Sequence, residues 1–189
     1  MLKRLAVTVV FVAGCAAPTA TNPAGAVKPS PTAGAPATTT PQPFALSLYQ
    51  AEDFQLGVPS GWVQTVKDQP LQKSVNRCTF RLPGPNGSTQ ASLIVTSGTI
   101  ASSTLAEQFG YLKAATVQQG EIITAESKTD AGDSWGLRST GKNEAGAFVN
   151  FRFVVVSPKS LFLIGLSGPQ GGPLTDDQVL QIASSFALR

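Results

Sequence analysis

Residues 16–43 are built almost entirely of Ala, Pro, Thr and Gly, hold seven of the fourteen prolines and carry a single charge, Lys28. A tract of this kind cannot bury enough apolar surface to offset the entropy lost on ordering it. Folding is therefore expected downstream, and the composition changes at Phe44, after which apolar residues recur with structural periods as far as Arg189. Proline-rich chain favours extended conformations of about 3.1 Å per residue, so the tract could hold a domain up to about 90 Å from whatever fixes its start. Spacing needs no modification of the tract. Thr38, Thr39 and Thr40 before Pro41 could also accept sugars in an organism that glycosylates exported Thr/Pro segments.

The anchor is read from the first fifteen residues. Lys3 and Arg4 precede an apolar run over 5–12 and then small residues, the three-part grammar of an export signal. The run is too short to span a bilayer. Val12-Ala13-Gly14-Cys15 resembles the lipobox of bacterial lipoproteins, where an aliphatic and two small residues precede a cysteine. The resemblance implies a diacylglyceryl group on the Cys15 sulfur, cleavage before that residue, and a further acyl chain such as palmitate on the new amino terminus. Several chains together exceed the marginal membrane affinity of one. An ordinary secretory signal, or a cytosolic chain with an apolar start, is the plainer alternative. The expected layout is a signal peptide at 1–14, a lipidated disordered tether at 15–44, and a globular domain at 45–189 outside the cytoplasm, in the cell envelope. Ala16, rather than aspartate, mildly favours an outer membrane where one exists.

Composition removes several classes of function. The formal charge of +3 includes Lys3 and Arg4, so without the leader twelve cationic side chains face eleven acidic ones. That balance leaves no electrostatic footprint for nucleic acid. The absence of histidine removes the usual general base near neutral pH and the commonest metal ligand. No cofactor or metal is expected. Cys15 and Cys78 are the only cysteines. With the first lipidated, no internal disulfide can form, and Cys78 reads as a small buried hydrophobe.

Within the domain, Phe54-Gln55-Leu56-Gly57-Val58 alternates as a half-buried strand, and Trp62 to Val66 resumes after a hairpin-like corner at Pro59-Ser60-Gly61. The segments 78–82 and 91–96 flank an Asn86-Gly87 reversal and should pair antiparallel. A helix is predicted over 105–119, with Thr104 and Glu107 as a capping box, Leu105, Phe109 and Leu112 on one face, and Gly120 as its stop. Strands are predicted at 122–127, 135–140, 147–156 and 161–166, with Val149, Phe151, Phe153 and Val155 on one face and Asn150 and Arg152 on the other. A last helix starts at Thr175 and turns Val179, Ile182 and Phe186 inward. Strands punctuated by two helices argue an α+β fold, an antiparallel sheet of six or seven strands covered by helices.

The run from Phe54 to Trp62, the long hairpin over 148–166 and Ile182-Ala183-Ser184-Ser185-Phe186 resemble the PsbP-like family, which includes photosystem II extrinsic proteins and DcrB-type envelope lipoproteins. The resemblance covers most of 50–189 and implies an α/β/α sandwich with a non-enzymatic accessory or binding role. The metal-binding histidines of photosynthetic members have no counterpart here.

Three patterns suggest chemistry. Ser139-Thr140-Gly141-Lys142 matches the Ser-x-x-Lys pattern of serine enzymes, but Ser139 is predicted at a strand end and Lys142 in the following turn, not at a helix start. Gly165, Gly168, Gly171 and Gly172 lie between a strand and a helix start, yet Asp176 and Asp177 already satisfy that helix dipole. Trp62 and Trp135 could line a ligand cleft, although rings on sheet segments more often seal the core. The paired acids Glu52-Asp53 and Asp176-Asp177 read as solvated surface. The expectation is a membrane-anchored, non-catalytic accessory protein with an unidentified envelope protein as partner. Small-ligand capture near Trp62 or Trp135, or an envelope serine hydrolase using Ser139 and Lys142, are the alternatives.

Overall fold

The computed structural model describes residues 44–68, 75–99, 103–128, 134–158 and 160–189. Val12, Ala13, Gly14 and Cys15 lie outside the described residues. Among the described residues, ten strands, β1 Leu46–Gln50, β2 Phe54–Pro59, β3 Val63–Val66, β4 Val75–Pro83, β5 Thr89–Thr99, β6 Ile122–Lys128, β7 Ser134–Asn143, β8 Gly146–Val156, β9 Ser160–Pro169 and β10 Ala187–Leu188, form two sheets, with helices α1 Leu105–Gln118 and α2 Asp176–Ser184. The large sheet runs β3-β4-β5-β9-β8-β7-β6 and the small one β1-β2-β10. All pairs are antiparallel.

Local chemistry sets most of the boundaries. Asn86 sits at φ 58° and Gly87 at φ 75°, the left-handed pair a tight reversal needs, and β4 and β5 pair across it. Thr104 accepts from the Glu107 amide while the Glu107 carboxylate takes the Thr104 amide, and Thr175 and Gln178 repeat the box at α2.

Alternation in β8 decides which layer covers which face. Phe151 and Phe153 join Cys78, Phe80, Leu93, Val95, Phe162, Ile164 and Leu166 on one face of the large sheet. Phe54, Leu56 and Val58 of β2 and Val179, Ile182 and Ala183 of α2 close over them. Each Phe, Leu, Ile or Val among them contributes about 1.5–3 kcal/mol when removed from water. On the opposite face α1 packs on β6, β7 and β8, and Phe109 meets the Trp135 ring edge-on at 5.4 Å. Arg138 lies over Phe151 on the core face and reaches Asp176 at the start of α2, 3.5 Å away.

Four expectations are corrected. Pro59-Ser60-Gly61 joins no hairpin, because β2 belongs to the small sheet and β3 to the large one; Gly61, at φ 85°, turns the chain from one to the other. The strand β7 continues to Asn143, so Lys142 is in the ladder opposite Ala147 and Ser139 is mid-strand. Gly165 is likewise inside β9, paired on both sides, and Gly168 is paired there with Val149 of β8, so neither lies in a loop. Asp53 is no free surface carboxylate, since it binds Arg77 through both oxygens.

Gly136 is fixed by close approach. A β-carbon built there collides with the Phe153 ring, which is 1% exposed and has nowhere to move. Gly136→Ala is expected to lower stability by about 1–3 kcal/mol, seen as a lower urea midpoint with an unchanged slope. An unchanged midpoint would mean that the ring can step aside.

Candidate functional site

The most concentrated polar chemistry lies beneath the end of α1. Gly120 stops the helix, and Glu121 then points into the sheet, its side chain 6% exposed. Arg152 of β8 grips it through both guanidinium nitrogens, Nη2 to Oε1 at 2.6 Å and Nη1 to Oε2 at 2.8 Å. Ser139 Oγ donates to the same Oε2 at 2.6 Å, and Asn150 Nδ2 donates to it at 3.1 Å. Arg152 Nη1 also donates to Ser139 Oγ at 3.1 Å and to Thr116 Oγ1 at 3.4 Å. Register explains the convergence: Leu137 faces Arg152 and Ser139 faces Asn150, which places all four on the α1 side.

Burial pushes the Glu121 carboxyl up, but the hydrogen bonds from Arg152, Ser139 and Asn150 outweigh it and hold the group below the ordinary glutamate range. It is therefore an anion at neutral pH. The Ser139 hydroxyl is fully buried, and its proton is committed to that anion. Lys142, three residues along the same regular strand, is exposed on the opposite face. The Ser-x-x-Lys pair is not assembled.

A second buried cation lies on the core side. Arg77 is 1% exposed, binds Asp53 at 2.7 and 2.9 Å and Asp68 at 2.9 Å, and lies 5.3 Å from the centre of the Phe54 ring. Burial opposes its charge, yet the two aspartates outweigh that and raise its pKa. Because Asp53 precedes β2 and Arg77 lies in β4, the pair ties the small sheet to the large one. Its neighbour Cys78 is buried and unpaired, with its thiol pushed up to about 12 by burial and then by the Asp68 charge. That suits an inert packing group.

The two tryptophans share no cleft. Trp62 lies between β2 and β3 and packs on the core between the sheets, whereas Trp135 lies under α1 on the other face, with Lys128 Nζ 4.8 Å from its ring centre. A small apolar crevice of about 20 Å³, room for one water, is lined by Val149, Phe151, Leu166, Pro173 and Leu174 and is near neither ring. Among the described residues no three His, Cys, Asp or Glu side chains gather as a metal site.

No family model and no curated protein matches the chain. Solved structures do. Cyanobacterial PsbP (CyanoP) from Synechocystis sp. PCC 6803 aligns at a TM-score of 0.51 and 16% identity, over 82% of this chain and 98% of that one. LpqN of Mycobacterium tuberculosis, described as involved in cell envelope biogenesis, aligns at 0.46 and 10% identity, over 78% and 86%. A protein of Bacteroides thetaiotaomicron VPI-5482 aligns at 0.46 and 11% identity, over 72% of this chain and 45% of that one, so this chain spans under half its length. The CyanoP likeness shows a PsbP-like α+β fold, as the resemblance implied, and no more than the fold. The other two add nothing to it.

Proposed function

We propose that the chain is a lipid-anchored envelope protein whose domain acts by binding another protein rather than by catalysis. The observation that carries the non-catalytic part is the closure of the Glu121 cluster, where anion, hydroxyl and guanidinium are consumed by one another. A working nucleophile or base must instead meet substrate. The anchor rests on the apolar run over 5–12 followed by Val12-Ala13-Gly14-Cys15. The PsbP-like fold supports the reading as an architecture that needs no catalytic residues. What remains to do work is the outer surface, held off the membrane by the 16–43 spacer.

The anchor is tested by fractionation. The unsubstituted chain should stay with membranes through a high-salt wash, and Cys15→Ser should move to the soluble fraction while keeping the parent's circular dichroism. A Cys15→Ser chain that still pellets after the wash would remove the lipid from the account. Crosslinking the tagged protein in intact envelopes then identifies the partner.

A further inference from the structure

Four strands lie at sheet edges among the described residues, and three are protected. The strand β10 is two residues long. The strand β3 has four and breaks register between Gln64 and Val66. The strand β6 breaks register between Ile123 and Ala125 and carries Glu126 and Lys128. Bulges, shortness and charge are the standard means of preventing edge-to-edge pairing. The fourth, β1, has none of them: Leu46-Ser47-Leu48-Tyr49-Gln50 holds no charge and no proline, and pairs with β2 in unbroken register.

Its outward groups can be assigned. Ser60 N–H donates to the Ala45 carbonyl and Ala51 N–H to the Phe54 carbonyl, both at 2.9 Å. Residues 45 and 51 therefore turn their backbone toward β2, and by alternation so do 47 and 49. The amides and carbonyls of Leu46, Leu48 and Gln50 point away from it, three donors and three acceptors in a row. At their centre Leu48 is 59% exposed.

We infer that β1 pairs antiparallel with β1 of a second copy of this chain about a two-fold axis at Leu48. The arrangement sets Leu48 against Leu48, Leu46 against Gln50 and Ser47 against Tyr49, so no charge meets a charge and the outward groups of the two strands satisfy one another. The small sheets join as β10-β2-β1-β1-β2-β10. This pairing is independent of the lipid: sedimentation reads one and fractionation the other, so either can fail alone.

The test uses the full chain with Cys15→Ser, which leaves only the buried Cys78 thiol. It should sediment at twice the 19.6 kDa chain mass, and Leu48→Lys, which sets two cations face to face, should sediment at the single mass with unchanged circular dichroism. Leu48→Pro gives the same result by another route, since it removes only an outward amide. Under mild oxidation Leu48→Cys should crosslink roughly tenfold faster than Ser47→Cys or Gln50→Cys, whose counterparts lie beyond disulfide reach in this register. A monomeric parent, a dimer that survives Leu48→Lys, or equal crosslinking at 47, 48 and 50 would each overturn the inference.

Discussion

Arg152→Met should lower the stability of the domain by about 3–5 kcal/mol at neutral pH, measured by urea denaturation. The reason is the state in which Glu121 is left: 6% exposed, anionic, and held by Ser139 and Asn150 alone. The pH dependence distinguishes this from a simple packing loss. In the parent, the folded-state pKa of Glu121 is depressed, so its contribution is complete at neutral pH and is lost as pH falls through that value. Without the guanidinium, burial is left as the dominant influence and lifts the folded pKa above the unfolded one. The penalty is then greatest at neutral pH and shrinks in acid, where the protonated carboxyl is tolerated. The gap between variant and parent should therefore narrow from about pH 7 to about pH 4.5, and the double variant Glu121→Leu with Arg152→Met should regain most of the loss. A gap that widens in acid would show that the charge on Glu121 is not the issue.

Phe54→Ala should cost a similar amount, about 3–5 kcal/mol. Phe54 is fully buried, stacked on Phe186 at 5.5 Å and tilted against Phe162 at 5.7 Å, with the Arg77 guanidinium above its ring. Truncation empties the contact between β2, the large sheet and the C-terminal segment, and strips Arg77 of its aromatic floor. Phe54→Leu, which refills most of the volume, should lose only about 1–1.5 kcal/mol. Calorimetry gives both values, and equal melting temperatures for the two variants would mean that the ring's size is not what the site uses.

The elements that declare themselves in the sequence do so within a few residues. The capping boxes at Thr104 and Thr175, the Asn86-Gly87 reversal and the alternation through Val149, Phe151 and Phe153 are local, and each appears where expected. The polar clusters are not local: Glu121 and Arg152 are 31 residues apart, Asp53 and Arg77 are 24 apart. No window of sequence contains both partners. The sequence carries only a hint, a lone arginine between Phe151 and Phe153 in a strand-like run, which needs an anion that sequence spacing does not name. The strand β1 carries no such signal in the sequence, because it begins directly after the proline-rich tract with no turn before it. The exchange of sheets at Gly61 looks like a hairpin in sequence because the same turn residues serve both.

The small sheet also determines how the domain would bear load. In sequence the 16–43 tract leads into Phe44 and β1, and among the described residues of one chain β1 is bound along its length only to β2. Tension applied from the amino-terminal side thus falls first on that one ladder. From there it passes through the Phe54 ring and the Asp53–Arg77 bridge to the seven-stranded platform. A domain pulled from that side would hang from its thinnest layer, with the charged pair as the rivet that keeps that layer from peeling away.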